Sequence, residues 1–198
     1  MRFLRLRVIA LLFVGSTALA GCGSVIGGTP TTKTGSGQGS TSSTGVSPSA
    51  SGGAPRVSNP KNLRGMDPCQ LLTPNQLREL GAAQSGKPDQ APWGETLCTW
   101  SDAIRVTVAP DTKRRGLTEV YLRKSSYNNF EASTVAGYPA VRADFGEIRC
   151  NVNVGVAEDQ LLLVQYANNV SRKVEHKDTC AFGERIAAEV LKNLPAGG

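Results

Sequence analysis

From Cys98 to Ala167 the apolar residues tend to recur at every second position. Ile104, Val106 and Val108 alternate with Arg105, Thr107 and Ala109. Cys150, Val152, Val154 and Val156 alternate with Asn151, Asn153 and Gly155. Successive side chains of a strand point to opposite faces, so each stretch predicts a half-buried strand. Cys98 and Trp100 share one parity in a shorter extended segment. Val141, Ala143 and Phe145, spaced by Arg142 and Asp144, predict a further strand, and Leu161–Ala167 reads as a nearly continuous apolar one. The short turn Ala157-Glu158-Asp159-Gln160 favours an antiparallel hairpin over crossover connections. Ser85–Trp93 reads as a polar loop and Pro110–Arg115 as a charged turn. Gly116–Lys124 fits a helix by its Leu117, Val120 and Tyr121 spacing and a strand by its β-branched content.

The period changes at both ends of this region. Thr73-Pro74-Asn75-Gln76 offers an N-cap, a proline at the first helical position and a T-x-x-Q capping box. Leu77 and Leu80 supply the apolar stripe, and Gly81 the stop. Near the C-terminus, Ile186, Ala187, Val190, Leu191 and Leu194 lie on one helical face between a cap at Asp178 or Thr179 and a stop at Pro195. The predicted class is α+β: an antiparallel sheet with an N-terminal helix and a C-terminal helix laid against one face.

The first 62 residues follow neither period. Met1–Arg7 is basic, Val8–Val14 is wholly apolar, and small residues follow to Ala20. This is the layout of a secretory signal over residues 1–21, too short in its apolar run for a membrane span. Its exit, Leu19-Ala20-Gly21-Cys22, resembles the bacterial lipobox. That resemblance implies cleavage between Gly21 and Cys22 and acylation of the Cys22 thiol, which would hold the chain on the membrane. Two or three acyl chains make such an anchor durable where one is marginal.

Residues 22–62 read as a tether. From Gly23 to Asn62, 28 of 40 residues are Gly, Ser, Thr or Pro, and none is aromatic. Such a stretch buries too little apolar surface to offset its ordering entropy, and as a flexible coil it would span roughly 35 Å. Ser/Thr beside Pro30 and Pro48 suit O-linked sugars. Ser58-Asn59-Pro60-Lys61 matches S-x-x-K, but Pro60 denies it the helix start that its chemistry needs. Residues 63–198 then form one globular domain, long enough to hold its own core and too short for two.

Charge changes the picture once it is divided along the chain. The chain of 198 residues carries a formal +6. From Leu63 onward, sixteen Lys and Arg face sixteen Asp and Glu, so the domain itself is neutral. That argues against a nucleic-acid partner.

Cys69, Cys98, Cys150 and Cys180 remain after Cys22 is set aside. An even count in an exported domain points to disulfides, with three connectivities open. Cys69–Cys98 and Cys150–Cys180 are favoured. Each closes a loop of about 30 residues, and Cys150 shares the parity of Val152 and Val154 beneath the terminal helix that Cys180 opens. A metal site is disfavoured, because no C-x-x-C occurs and His176 is the only histidine.

Several of these features recur together. Asp67-Pro68-Cys69-Gln70-Leu71-Leu72-Thr73, Cys98-Thr99-Trp100, Val135-Ala136-Gly137-Tyr138-Pro139-Ala140-Val141, Cys150, and Asp178-Thr179-Cys180 before a helix ending Leu194-Pro195 resemble the DUF3558 family of actinobacterial lipoproteins. The resemblance covers about residues 63–195. It implies a surface lipoprotein with its four domain cysteines paired, and similarity in fold to the small α/β sandwiches of the Mog1/PsbP type. It carries over no catalytic residue.

Catalytic signatures are missing from the sequence. A nucleophile–histidine pair would have to use His176, which sits in a charged run. No G-x-S-x-G, Walker loop or dinucleotide fingerprint occurs, and Glu158-Asp159 reads as a solvated turn. No cofactor is implied. Lys113-Arg114-Arg115 with Arg123-Lys124 is the densest basic patch, able in principle to meet anionic lipid, though a solvated loop is the plainer reading. Trp100 is expected in the core, and Trp93 and Tyr127 on the surface. The leading expectation is a non-enzymatic module, tethered through Cys22, that binds a small ligand or an envelope protein. An envelope hydrolase with an unrecognised carboxylate site and an accessory subunit of a secretion or signalling assembly are the alternatives.

Overall fold

A computed structural model describes residues 53–168 and 177–197, all within one compact unit. The signal region, Gly21, Cys22 and His176 lie outside the described residues.

The sheet has seven strands in the order β1-β2-β3-β7-β6-β5-β4, antiparallel throughout. They are β1 (Lys87–Gln90), β2 (Thr96–Ser101), β3 (Ile104–Asp111), β4 (Phe130–Val135), β5 (Tyr138–Ala143), β6 (Arg149–Ala157) and β7 (Gln160–Asn168). Two meanders, β1 to β3 and β4 to β7, are joined where β3 pairs with β7. Among the described residues three α-helices complete the α+β fold: α1 (Pro74–Glu79), α2 (Leu117–Leu122) and α3 (Thr179–Asn193).

The expected alternation sets the core. Cys98, Trp100, Ile104, Val106, Val108, Cys150, Val152, Val154, Val164 and Tyr166 are all buried in one cluster with α1 and α3. Helix α3 is capped by Asp178, whose carboxylate accepts from the Ala181 amide at 2.8 Å. Its Ile186, Ala187, Val190 and Leu191 are buried against the sheet. Burying one such Ile or Val contributes about 1.5–3 kcal/mol, which is why a helix of modest intrinsic propensity holds here. The α1 capping box forms as predicted, with the Thr73 side chain and the Gln76 side chain each bonding the other residue's backbone N–H. Both favoured disulfides are present, Cys69–Cys98 and Cys150–Cys180. The second ties the start of α3 to β6.

Four elements differ from, or add to, what the sequence predicts. The polar stretch Ser85–Trp93 contains β1, an edge strand whose four residues are all exposed and so leave no alternation to read. The opposite edge strand, β4, is masked in the same way, with Val135 its only fully buried residue. Strand β5 ends at Ala143. Asp144 turns with φ +46°, so Phe145 leaves the ladder.

The fourth concerns the second sheet face. The sequence lays its closing helix on one face; α2, the helical outcome of the ambiguous Gly116–Lys124 stretch, covers part of the other. Its Leu117 and Val120 are buried with Val141, Ala143 and Leu161 in a second, smaller cluster. Ala54 joins that cluster, so the domain takes up residues 53–62, the end of the stretch read as tether. The β6–β7 turn holds this segment. The Glu158 carboxylate accepts from the Val57 amide at 3.0 Å, the buried Gln160 accepts from the Leu63 amide at 2.7 Å, and Asp159 pairs with Arg64 at 2.6 Å. Glu158-Asp159 is therefore a clasp and not simply a solvated turn. Lys61 bridges to Ala196, and its Nζ donates to the Leu194 carbonyl, a structural use that removes it from any S-x-x-K chemistry.

Candidate functional site

The half of the second face that α2 leaves uncovered is polar. The alternation that buries Val106, Val152 and Val164 on one side sends Thr107, Asn151 and Gln165 to the other. Register brings them into one row across the strands: Lys87 beside Thr99, Thr99 beside Thr107, Thr107 beside Gln165, and Gln165 beside Asn151. A second row places Arg105 and Arg149 on either side of Ala167. Cross-strand neighbours sit about 5 Å apart, so the two arginine Cα atoms are separated by roughly 10 Å, with only a methyl between them.

These rows line a concavity of about 280 Å³ bounded by Arg105, Thr107, Asn128, Asp144, Arg149, Asn151, Gln165 and Ala167. A second hollow, near 570 Å³, adjoins it through Arg105 and reaches Lys87, Asp89, Thr99 and Ser101. The Thr99 and Thr107 hydroxyls bond each other at 2.9 Å. Among the described residues, the side chains of Arg105, Arg149, Asn151 and Gln165 have no hydrogen-bond or ion-pair partner.

Two loops form the rim. The Asp144 carboxylate accepts from the Asn128 amide at 3.0 Å and from its side-chain nitrogen at 3.1 Å. Asn129 bonds both backbone groups of Phe145 at 2.8 Å. The pairing fixes Asp144 in its left-handed conformation and holds its charge at the edge of the hollow.

The other residues singled out in the sequence do different work. Trp93 is half-buried. Its indole N–H donates to the Pro110 carbonyl at 2.9 Å, and the Arg114 guanidinium lies 4.4 Å from its ring centroid. Tyr127 leans on Phe130, which meets Tyr121 edge to face; burial pushes both tyrosine hydroxyls above their ordinary pKa. Neither Trp93 nor Tyr127 is the open surface aromatic that was expected. Trp100 is fully in the core, as expected. The basic run is spent locally: Arg114 on the fully buried Asp111, Arg115 on Glu119, Lys113 on the Gly94 carbonyl, and Lys124 over the Phe130 ring. Arg115 and Arg123 remain exposed.

Among the described residues there is no group of three His, Cys, Asp or Glu side chains placed to hold a metal, and no helix long and apolar enough to cross a membrane. The hollow offers guanidinium, amide and hydroxyl groups with one carboxylate already hydrogen-bonded. Such a set can bind and orient a polar anion. Its residues were half legible: Arg105, Thr107 and Asn151 are the outward positions of strands read correctly, whereas Lys87 and Asn128 lie in stretches without a pattern.

The family model described as a protein of unknown function (DUF3558) matches residues 17–193. This covers most of the chain, which therefore belongs to that family. No curated protein and no solved structure matched. The likeness to the Mog1/PsbP type gains no support from them.

Proposed function

We propose that this member of the DUF3558 family is a non-enzymatic binding module, held on the outer face of the cell membrane by lipid on Cys22. The open polar sheet face is its recognition surface. The observation that carries the reading is a lipobox-like Leu19-Ala20-Gly21-Cys22 in front of a domain closed by two disulfides. Disulfides persist in oxidising compartments, so both features point to the same side of the membrane. Between Cys22 and residue 53, the first described residue, lies a Gly/Ser/Thr-rich stretch of about 30 residues. As a flexible coil it would reach roughly 30 Å, enough to lift the domain clear of the lipid headgroups.

The surface supports binding over catalysis. Of the carboxylates lining its two hollows, Asp144 is engaged by Asn128 and Asp89 accepts from the Gln90 amide, and among the described residues no nucleophile with an adjacent base lines the face. Fractionation tests the reading. The full chain should be recovered in the membrane fraction, with an acylated Cys22 as its first residue by mass spectrometry. The Cys22→Ala chain should lose both. Membrane retention of that variant, or an unprocessed amino end, defeats the proposal.

A further inference from the structure

We propose that Arg105 and Arg149 form a carboxylate-binding site for an acidic saccharide, with the sugar ring resting on Asn151 and Gln165. The inference deepens the binding-module reading and rests on it for the exposure of this face to extracellular polymers.

Geometry comes first. Register places both arginines beside Ala167, one from β3 and one from β6. Alanine stops at Cβ, so the space between the two guanidinium stems is unfilled. Both arginines are exposed, and among the described residues neither has a hydrogen-bond or ion-pair partner. A guanidinium fork matches a planar carboxylate with two parallel hydrogen bonds, and two forks flanking one gap can share a single anionic group.

Charge narrows the class. Two arginines and Asp144 leave a local +1 in this hollow, which balances one carboxylate. A phosphomonoester, at about −1.5 to −2, would overshoot it.

The floor narrows it further. Thr107, Gln165 and Asn151 stand side by side one row away. A primary amide presents two donors and an acceptor, a combination suited to the mixed donor–acceptor character of sugar hydroxyls. The Asn151 and Gln165 amides have no protein partner that ligand binding would need to break. The hollow, at about 280 Å³, lies at the lower end of the range for small-ligand sites and suits one ring. The adjoining hollow past Arg105 would let a chain continue toward Lys87. An open site of this kind should bind a single residue only weakly, with a Kd on the order of 1 mM.

The test is a titration of the oxidised, isotopically labelled full chain with sodium glucuronate, glucose and glucose 6-phosphate. The side-chain amide signals of Asn151 and Gln165 are followed by NMR at about 0.01 M ionic strength. The expected result is a saturable shift with glucuronate, weakened about tenfold or more in Arg105→Gln/Arg149→Gln. Glucose should give no comparable response. Arg105→Lys keeps the charge and loses the fork, so it should weaken binding several-fold while leaving the melting temperature unchanged. Four results would overturn the inference: no saturable response to glucuronate, equal binding by the folded double variant, equal binding of glucose, or tighter binding of glucose 6-phosphate. A chain anchored through Cys22 that ignores glucuronate defeats this inference alone. A chain that binds glucuronate but carries no lipid defeats only the anchor.

Discussion

Arg142 on β5 and Glu184 on α3 are joined by two hydrogen bonds of 2.7 Å each, Nε to Oε1 and Nη2 to Oε2. Both side chains are mostly shielded, with 24% and 16% of their surface exposed, and this bond to Glu184 raises the pKa of Arg142. A two-pronged charge-assisted contact fixes the helix against the sheet more firmly than a surface ion pair would. Arg142→Ala and Glu184→Gln should each lower stability by about 1–3 kcal/mol. A double-mutant cycle by urea denaturation should return a coupling of about 1–2 kcal/mol. Additive losses would mean that the pair contributes no more than its separate burial.

Gly86 is forced by packing. A Cβ built there would lie 2.4 Å from the Cys98 sulfur and 2.8 Å from the Trp100 ring, both fully buried. Neither neighbour can yield, since one is disulfide-bonded and the other fills the core. Gly86→Ala should cost about 1–3 kcal/mol or more. Gly146→Ala, where a Cβ would meet nothing within 4 Å, should be neutral or stabilise by up to about 1 kcal/mol. Thermal melts of the two variants make the comparison.

The Cys150–Cys180 bond closes a separation of 30 residues, as Cys69–Cys98 closes 29. In the chain-entropy picture each bond raises stability by about 3.5 kcal/mol. The Cys150→Ala/Cys180→Ala chain should therefore melt well below the parent. Adding reductant to the parent should lower its melting temperature more than removing either bond alone does.

Glu189 links stability to pH. A hydrogen bond from Lys192 holds its pKa below the ordinary 4.5, helped by one from Gln76 and opposed by burial. A carboxylate with a lowered folded pKa binds protons more readily when unfolded. Its contribution is thus complete above about pH 4.5 and is lost as pH falls through the folded value. Urea midpoints measured between about pH 6 and pH 3 should fall less steeply for Glu189→Gln than for the parent. Equal slopes would remove Glu189 from the acid response.

The amino-acid sequence alone determined the α+β class, the buried parity of β3 and β6, the cap at Thr73 and a cap at Asp178 or Thr179, and it favoured the cysteine pairing that forms. The periods and caps are local patterns, set by residues a few positions apart, and the cysteine preference came from loop length and strand parity. The edges β1 and β4 were illegible because an exposed strand needs no alternation, and its ladder partners lie elsewhere in the sequence. Only the tertiary structure decided that α2 and residues 53–62 cover half of the second face and leave the rest open. Only it set Arg105 and Arg149 on either side of Ala167. That placement depends on the register of three strands, a property of long-range pairing that no single stretch of sequence contains.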